Sequence, residues 1–351
     1  MFNHEYVGNI HIHSIHSDGT KSCAEIAEKA ARAGLDFICI NDHEYMKRYL
    51  GLGEEGFYGD LLLLIGLEIG ERYHHYLAFD LKEMVLSDNP EPQKVINEVN
   101  RQGGFGFLAH PFEKGMPFRD RSIAYTWNDL DVKGFTGLCI WNFSSRWKER
   151  IKTVFHGLFF LAFKSRTLKG PSRETMSFWD ELCQHRRVGA VGGSDAHGSL
   201  FRWGPINITP LSYEFLLRTI NIHVLLKEKI VKDFKKAKYN VYEAMKEGRL
   251  FIANDRIYPA KGFKFYFISD DGSDLVMGEE DHFQQTGNLV VELPSRGEIR
   301  LIKDGGLVNN WHGMEAVHRA RDRGVYRVEV YRRVPFFGWR PWIFSNPIYL
   351  R

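Results

Sequence analysis

Between residues 7 and 197 one arrangement recurs: a short apolar run, a cluster of polar residues with metal-binding side chains, and then, usually, a stretch with helical spacing. Tyr6-Val7-Gly8-Asn9-Ile10 leads into "HIHSIHSDGT", "FICI" into Asn41-Asp42-His43, and "LLLLIGL" into Glu68. "FGFLA" then leads into His110-Pro111, "GLCI" into Trp141-Asn142, and "VGAVGG" into Ser194-Asp195-Ala196-His197. Several runs lack polar alternation, as expected for strands buried on both faces of a parallel sheet. After the first cluster, "KSCAEIAEKAARAGL" carries apolar residues at helical spacing until Gly34 stops it. In barrels of parallel strands the functional residues gather at the carboxyl ends of the strands, where all of these clusters fall. The pattern predicts an α/β fold with one site at one end of its strands.

At 351 residues the chain can bury a large core as one domain or two, and its 44% hydrophobic and 26% charged content is that of a water-soluble globular protein. A net charge of +3 is too small to imply nucleic-acid binding by itself. Cys23, Cys39, Cys139 and Cys183 are scattered with no CxxC pair, which excludes a compact zinc ribbon and gives no disulfide framework. A reducing, cytoplasmic compartment is the default expectation. The N-terminus lacks the basic and apolar regions of a signal peptide, and the longest apolar stretch, "VFHGLFFLAF" at 154–163, is too short to span a membrane.

The pattern is interrupted at about 146–187 by a basic, aromatic stretch with ten Lys/Arg against four Asp/Glu. It reads as one or two helices covering the barrel with solvated charges, or as a lid that recruits an anionic substrate. Interfacial membrane contact is a third reading. After His197 the chain reads as helices that close the barrel or lean on it. From about Asp255, turn signals such as "DDGSD", "QTGN" and "KDGG" separate short strands. The expected organisation is a barrel unit over 1–255, with the insert, and a small antiparallel β-sandwich over 256–351. The closing "FFGWRPWIFSNPIYL" packs against the first unit, or else forms an oligomer contact or ligand patch. The oligomeric state is left open.

His11 and His13 alternate along a predicted strand and so share a face, as do Asp195 and His197. Gly192 and Gly193 leave room for close backbone approach, and Pro111 favours an extended backbone at His110. His11, His13, Asp18, His43, Glu68, His75, His110, Asp195 and His197 all follow predicted strands or end them. Nine ligands exceed what one four-coordinate ion needs, but suit two or three divalent ions sharing a bridging carboxylate.

The ordered motifs "HIHSIHSDG", "INDH", "GLEI", "HHYLAF", "LAHP" and "GGSDAH" resemble the PHP (polymerase and histidinol phosphatase) superfamily over about residues 5–255. That resemblance implies a distorted (β/α)7 barrel with a trinuclear site of manganese, iron or zinc. It implies His11, His13, Glu68 and Asp195 around one ion, Glu68 bridging to a second held by His75 and His110, and Asp18, His43 and His197 around a third. His75 is preferred to His74 for its place directly before "YLAF". "CIWNFSSRW", "GPSRETMSFWDEL", "MKEGRLFIA" and "PWIFSNPIYL" are similar to the CehA/McbA-type metallohydrolases, the branch that includes a carbaryl hydrolase.

The expected activity is phosphoester hydrolysis on a small phosphorylated metabolite or nucleotide. Hydrolysis of a carboxylic or carbamate ester is the alternative, and a metal-bearing binding module a third reading. His43 or His197 would assist the leaving group. His16 and His74 would serve from beside the ligands or be merely hydrogen-bonded. Lys114, Arg173 and Arg202 could neutralise an anionic substrate, with ordinary surface charges as the plainer reading. Phosphate calls for converging cations, whereas an aryl carbamate calls for an apolar slot, which Trp141, Phe112 and the insert's phenylalanines could supply.

Overall fold

In the computed structural model, which describes residues 4–118, 124–203, 206–282 and 286–351, the recurring apolar runs are strands. They are β1 (His4–Ile12), β2 (Phe37–His43), β3 (Leu61–Ile69), β4 (Tyr76–Phe79), β5 (Phe105–Leu108), β6 (Gly137–Asn142) and β7 (Gly189–Gly193). Two more, β8 (Ile220–Leu226) and β9 (Leu250–Asn254), follow them. Every residue of β2 and β3 is buried, which explains the missing polar alternation. Helix α1 (Cys23–Ala33) carries the chain from β1 to β2. A capping box between Ser22 and Glu25 starts it, Gly34 at φ 84° ends it, and Cys23, Ile26, Ala27 and Ala30 form its buried face.

The strands lie in the order β7-β6-β5-β4-β3-β2-β1-β8-β9. Two expectations about a barrel need correction. The sheet is mixed: β4 runs antiparallel to both β3 and β5, because only the short turn at 70–75 joins β3 to β4 and a parallel crossover needs a far longer connection. The ladder also does not close. Between β1 and the segment after β7 the only strand-type pairing among the described residues is a bridge of Ile12 with Ala196. Backbone bonds from Ser194 N–H to Ile10 O (3.3 Å), Ala196 N–H to His11 O (3.2 Å) and His13 N–H to Ala196 O (2.9 Å) span that opening. Gly193 permits the approach, since a Cβ there would lie 2.7 Å from the Ile10 carbonyl oxygen.

Beyond residue 256 the main strands are β10 (Lys264–Ser269), β11 (Gly287–Lys303), β12 (Gly306–Ala320), β13 (Gly324–Val334), β14 (Gly338–Ser345) and β15 (Ile348–Leu350). They surround a second apolar cluster that includes Phe265, Val291, Val328 and Trp342. They are not a sandwich set apart from the rest, however. β14 pairs with β9, Ile252 opposite Phe344, so the hydrogen-bonded sheet runs on from the first unit. The closing aromatic run packs as its plainer reading expected. Phe344 meets Trp141 edge-on at 5.1 Å, Asn346 bonds Ala190 and Leu250, and the Tyr349 hydroxyl accepts from Val188 N–H.

The insert holds more helix than expected: α2 (Phe143–Lys148) leads into α3 (Val154–Ala162), α4 (Lys164–Thr167) and α5 (Arg173–His185). Arg327 of β13 fixes α5 through a bidentate pair with Asp180 at 2.7 and 2.8 Å. Among the described residues no helix is long and apolar enough to cross a membrane.

Candidate metal centre

Glu68 is 1% exposed near the end of β3, and five imidazoles surround its carboxylate. Its Oε2 lies 3.0 Å from His11 Nε2, 3.2 Å from His13 Nε2 and 3.4 Å from His43 Nδ1. Its Oε1 lies 2.7 Å from His75 Nδ1 and 3.1 Å from His110 Nε2. Asp195 Oδ1 stands 3.4 Å from Nε2 of both His11 and His13, and 3.5 Å from His197 Nδ1. Asp18 joins through His197 Nε2 at 3.2 Å, His13 Nδ1 at 3.6 Å and His43 Nε2 at 3.9 Å. The fold thus draws all nine expected ligands into one connected cluster.

Strand alternation does not explain how the histidine pair turns inward. His11 adopts φ 62°, Asp195 φ 53° and His110 φ 29°, left-handed values that side-chain-bearing residues rarely take. Such conformations cost on the order of 1–3 kcal/mol each and persist where the surroundings dictate them. Asn41 Oδ1 accepts the His11 N–H at 3.0 Å, and the bonds across the opening hold Ala196 beside His11 and His13. The two segments lie side by side, and the rings of His13 and His197 stack at 4.0 Å.

Buried carboxylates need positive charge, yet among the described residues no Lys or Arg pairs with Glu68 or Asp195. Burial pulls the His13 and His110 rings down, but the carboxylates beside them win. Asp195 and Glu68 hold His13 well above its usual value, and Glu113 and Glu68 raise His110 to about 9. Burial prevails at His43, lowering it to about 3 and leaving a neutral imidazole at pH 7. Both ring nitrogens of His11 and His13, with His43 Nδ1 and His75 Nε2, are buried without a hydrogen bond. Of these, His11 Nε2, both nitrogens of His13 and His43 Nδ1 lie 3.0–3.6 Å from carboxylate oxygens but are not aligned on them, as ligands around a common ion would be. Three sets within this cluster have one ligand atom per residue mutually within 4.8 Å: His11-His13-Glu68-Asp195, His13-Asp18-His43-His197 and His43-Glu68-His75. This donor set fits divalent metal ions.

Three residues, Asp42, Asn142 and Glu113, brace the site without having been assigned a role from the sequence. Asp42 is fully buried and accepts from Ser14 N–H (2.6 Å), Ser14 Oγ (2.7 Å) and Ser17 Oγ (2.6 Å), which anchors the loop carrying Asp18. Asn142 donates to Asp195 Oδ2 at 3.2 Å. Glu113, three positions past His110, faces its Nδ1 at 3.5 Å and is held by Lys148 at 2.6 Å. The "INDH" motif and the spacing after "LAHP" were the available signals for Asp42 and Glu113.

The expected substrate residues do not converge. His16 Nε2 pairs with Glu54 at 2.5 Å in a small group with Cys23. The His74 Nδ1–H donates to Asn89 O and its Nε2 accepts from Asp129 N–H, so His75 alone of the pair reaches Glu68. Trp141 is fully buried and donates to Lys169 O, which corrects its placement in a substrate slot. Lys114 is exposed and pairs with Glu174, and Arg173 is exposed at the start of α5, so neither is aimed at the ligands. The Arg202 side chain lies outside the described residues. Phe112 packs edge-on against Phe178 at 5.7 Å.

What does open onto the ligands is a cavity of about 610 Å³ bordered by Asp195 and His197. Its walls are mostly apolar, with Met116, Trp147, Ile151, Leu158 and Leu161 among them, and Lys148 is the one Lys or Arg on it among the described residues.

No protein-family model matches the chain, and neither does any curated protein. Among solved structures the chain is similar to a two-domain protein from Bacteroides vulgatus ATCC 8482 containing a predicted PHP-like metal-dependent phosphoesterase. The identity is 16%, 97% of this chain and 95% of that one are covered, and the TM-score is 0.46. It is also similar to a candidate metal-dependent phosphoesterase from Bifidobacterium adolescentis ATCC 15703, at 18% identity, covering 57% of this chain and 92% of that one, with a TM-score of 0.32. At these identities and scores the ligand geometry, and not the likeness, bears on function.

Proposed function

We propose that the chain is a metal-dependent hydrolase of the PHP type that cleaves phosphoesters. The observation that carries this reading is the Glu68 carboxylate, enclosed by five imidazoles and linked through them to Asp195 and Asp18. His11, His13, Glu68 and Asp195 would hold one divalent ion, His75 and His110 with Glu68 a second, and Asp18, His43 and His197 a third. Such ions, when bound, supply Lewis acidity and bring a water's pKa towards neutrality. The protein's own part is orientation: Asn142 fixes Asp195, Glu113 faces His110, and Asp42 fixes the Asp18 loop. Of the two imidazoles with an expected catalytic role, His197 is the more open, with its side chain 23% exposed on the cavity, against 9% for His43. His197 would therefore be the better candidate to assist a leaving group in a state where it is not committed to an ion, while His43 would serve as an enclosed ligand. In this organisation residues 1–255 hold the centre and 256–351 brace it.

The apolar cavity favours a second reading, hydrolysis of a carboxylic or carbamate ester, because among the described residues it offers a mostly apolar wall and a single Lys or Arg, where a compact phosphorylated metabolite would need several. Protein loaded with manganese, iron or zinc should be assayed in parallel on aryl phosphomonoesters, phosphodiesters, carboxylic esters and N-methylcarbamates. Phosphoester turnover is expected. Turnover confined to carboxylic esters or carbamates would put the second reading in place of the first.

A further inference from the structure

A second cavity, of about 720 Å³, lies where the end of α3 and α4 meet the loop after β9 and the turn between β13 and β14. Lys164, Arg166, Arg256, Arg332 and Arg333 line it, and among the described residues no carboxylate does. Among the described residues none of the five forms an ion pair. Elsewhere this chain commonly pairs its cations: Arg187 with Glu247, Lys238 with Glu55, Arg319 with Asp270. Unpaired cations scattered over a surface are ordinary, but five facing one concavity repel one another. Burial, and then the nearby Arg256, pull the Lys164 ammonium below its ordinary value.

Aromatic faces hold several of these charges in place. The Phe215 ring lies 4.8 Å from Lys164 Nζ and 5.7 Å from the Arg256 guanidinium, and Arg332 stacks 4.0 Å over Tyr258. A guanidinium resting on a ring keeps its N–H edge available, the edge that binds phosphate or sulfonate in bidentate fashion. Lys164 donates to Pro210 O and Arg332 to Arg296 O, which position both without neutralising them.

We infer that this basin binds a small organic polyanion with two or more phosphate-like groups, at a site separate from the metal centre. The basin contains none of the nine candidate ligands, yet it shares Leu161 with the cavity beside Asp195 and His197. Its cations come from both the helical insert and the C-terminal strands. An occupant therefore joins the two and steadies the wall of the neighbouring cavity.

The test uses metal-loaded full-length protein and fluorescence anisotropy of pyrenetetrasulfonate, a rigid polyanion whose sulfonates ligate metals weakly. Saturable binding is expected, weakening with salt and displaced by fructose bisphosphate. The exposed pair Arg256→Ser/Arg333→Ser should weaken it by about tenfold or more, as should Lys164→Met independently. The control pair Lys94→Ser/Lys236→Ser should leave it unchanged. Unaltered affinity in both basin variants, or an equal loss in the control, would overturn the assignment. Displacement by a single-stranded oligonucleotide of about 20 nucleotides, with none by fructose bisphosphate, would overturn it in favour of a nucleic-acid surface.

Discussion

Glu68 concentrates the chemistry of the proposed centre in one side chain. Glu68→Gln keeps the shape but removes the shared negative charge, so metal content per chain should fall and hydrolysis drop by on the order of 100-fold or more, read by elemental analysis and turnover. A second buried histidine tests the electrostatics away from the ligands. His223 lies between Glu5 (2.6 Å) and Asp255 (3.1 Å); burial pulls it down, but Asp255 and Glu5 prevail and raise it from 6.5 to about 9. A raised folded value stabilises fully below the unfolded value and is lost as pH rises through the folded one. Urea midpoints should therefore show wild type most ahead of His223→Gln near pH 6, with the gap shrinking from about pH 6.5 to pH 9 and beyond. At this scale much of the site was legible, because imidazoles and carboxylates at strand ends are chemically distinctive. The inward turn of His11 at φ 62° was not, since two-residue alternation assumes an extended backbone.

Among the elements, α3 stands apart. It is apolar nearly all round, with Leu158 and Leu161 walling the cavity at the metal ligands while Phe155 is 80% exposed. Leu158→Ala should raise KM for a naphthyl ester by roughly tenfold while changing kcat little, because the side chain touches the bound group and not the reacting atoms. A steady-state comparison with an acetyl ester, which does not fill the slot, provides the check. The strands were legible from their apolar runs, and α1 from the helical spacing of its apolar residues and its terminal glycine. The reversal at β4 was not, since "YLAF" reads the same in either direction and only the shortness of the 70–75 turn forces antiparallel pairing.

Across the whole molecule, the distant C-terminus supports the strand that leads to Asp195. Asn346, fully buried, accepts from Ala190 N–H and donates to Ala190 O and Leu250 O at 2.7, 2.8 and 3.0 Å. Asn346→Ala should cost about 2–4 kcal/mol in chemical denaturation, because it leaves buried backbone groups unpaired, and should speed metal loss to a chelator. The sequence marked the closing aromatic run as a packing surface, but the continuity of β14 with β9 depends on a pairing between segments far apart in the chain, which composition does not encode. The opening between β1 and β7 has a further consequence, in time. Its two sides carry the first candidate ligand, His11, and the last, His197, and a ribosome takes roughly 10 to 40 s to travel from one codon to the other. For that interval the N-terminal histidines can meet ions but cannot enclose them, so a full complement of metal marks a chain made at least as far as His197.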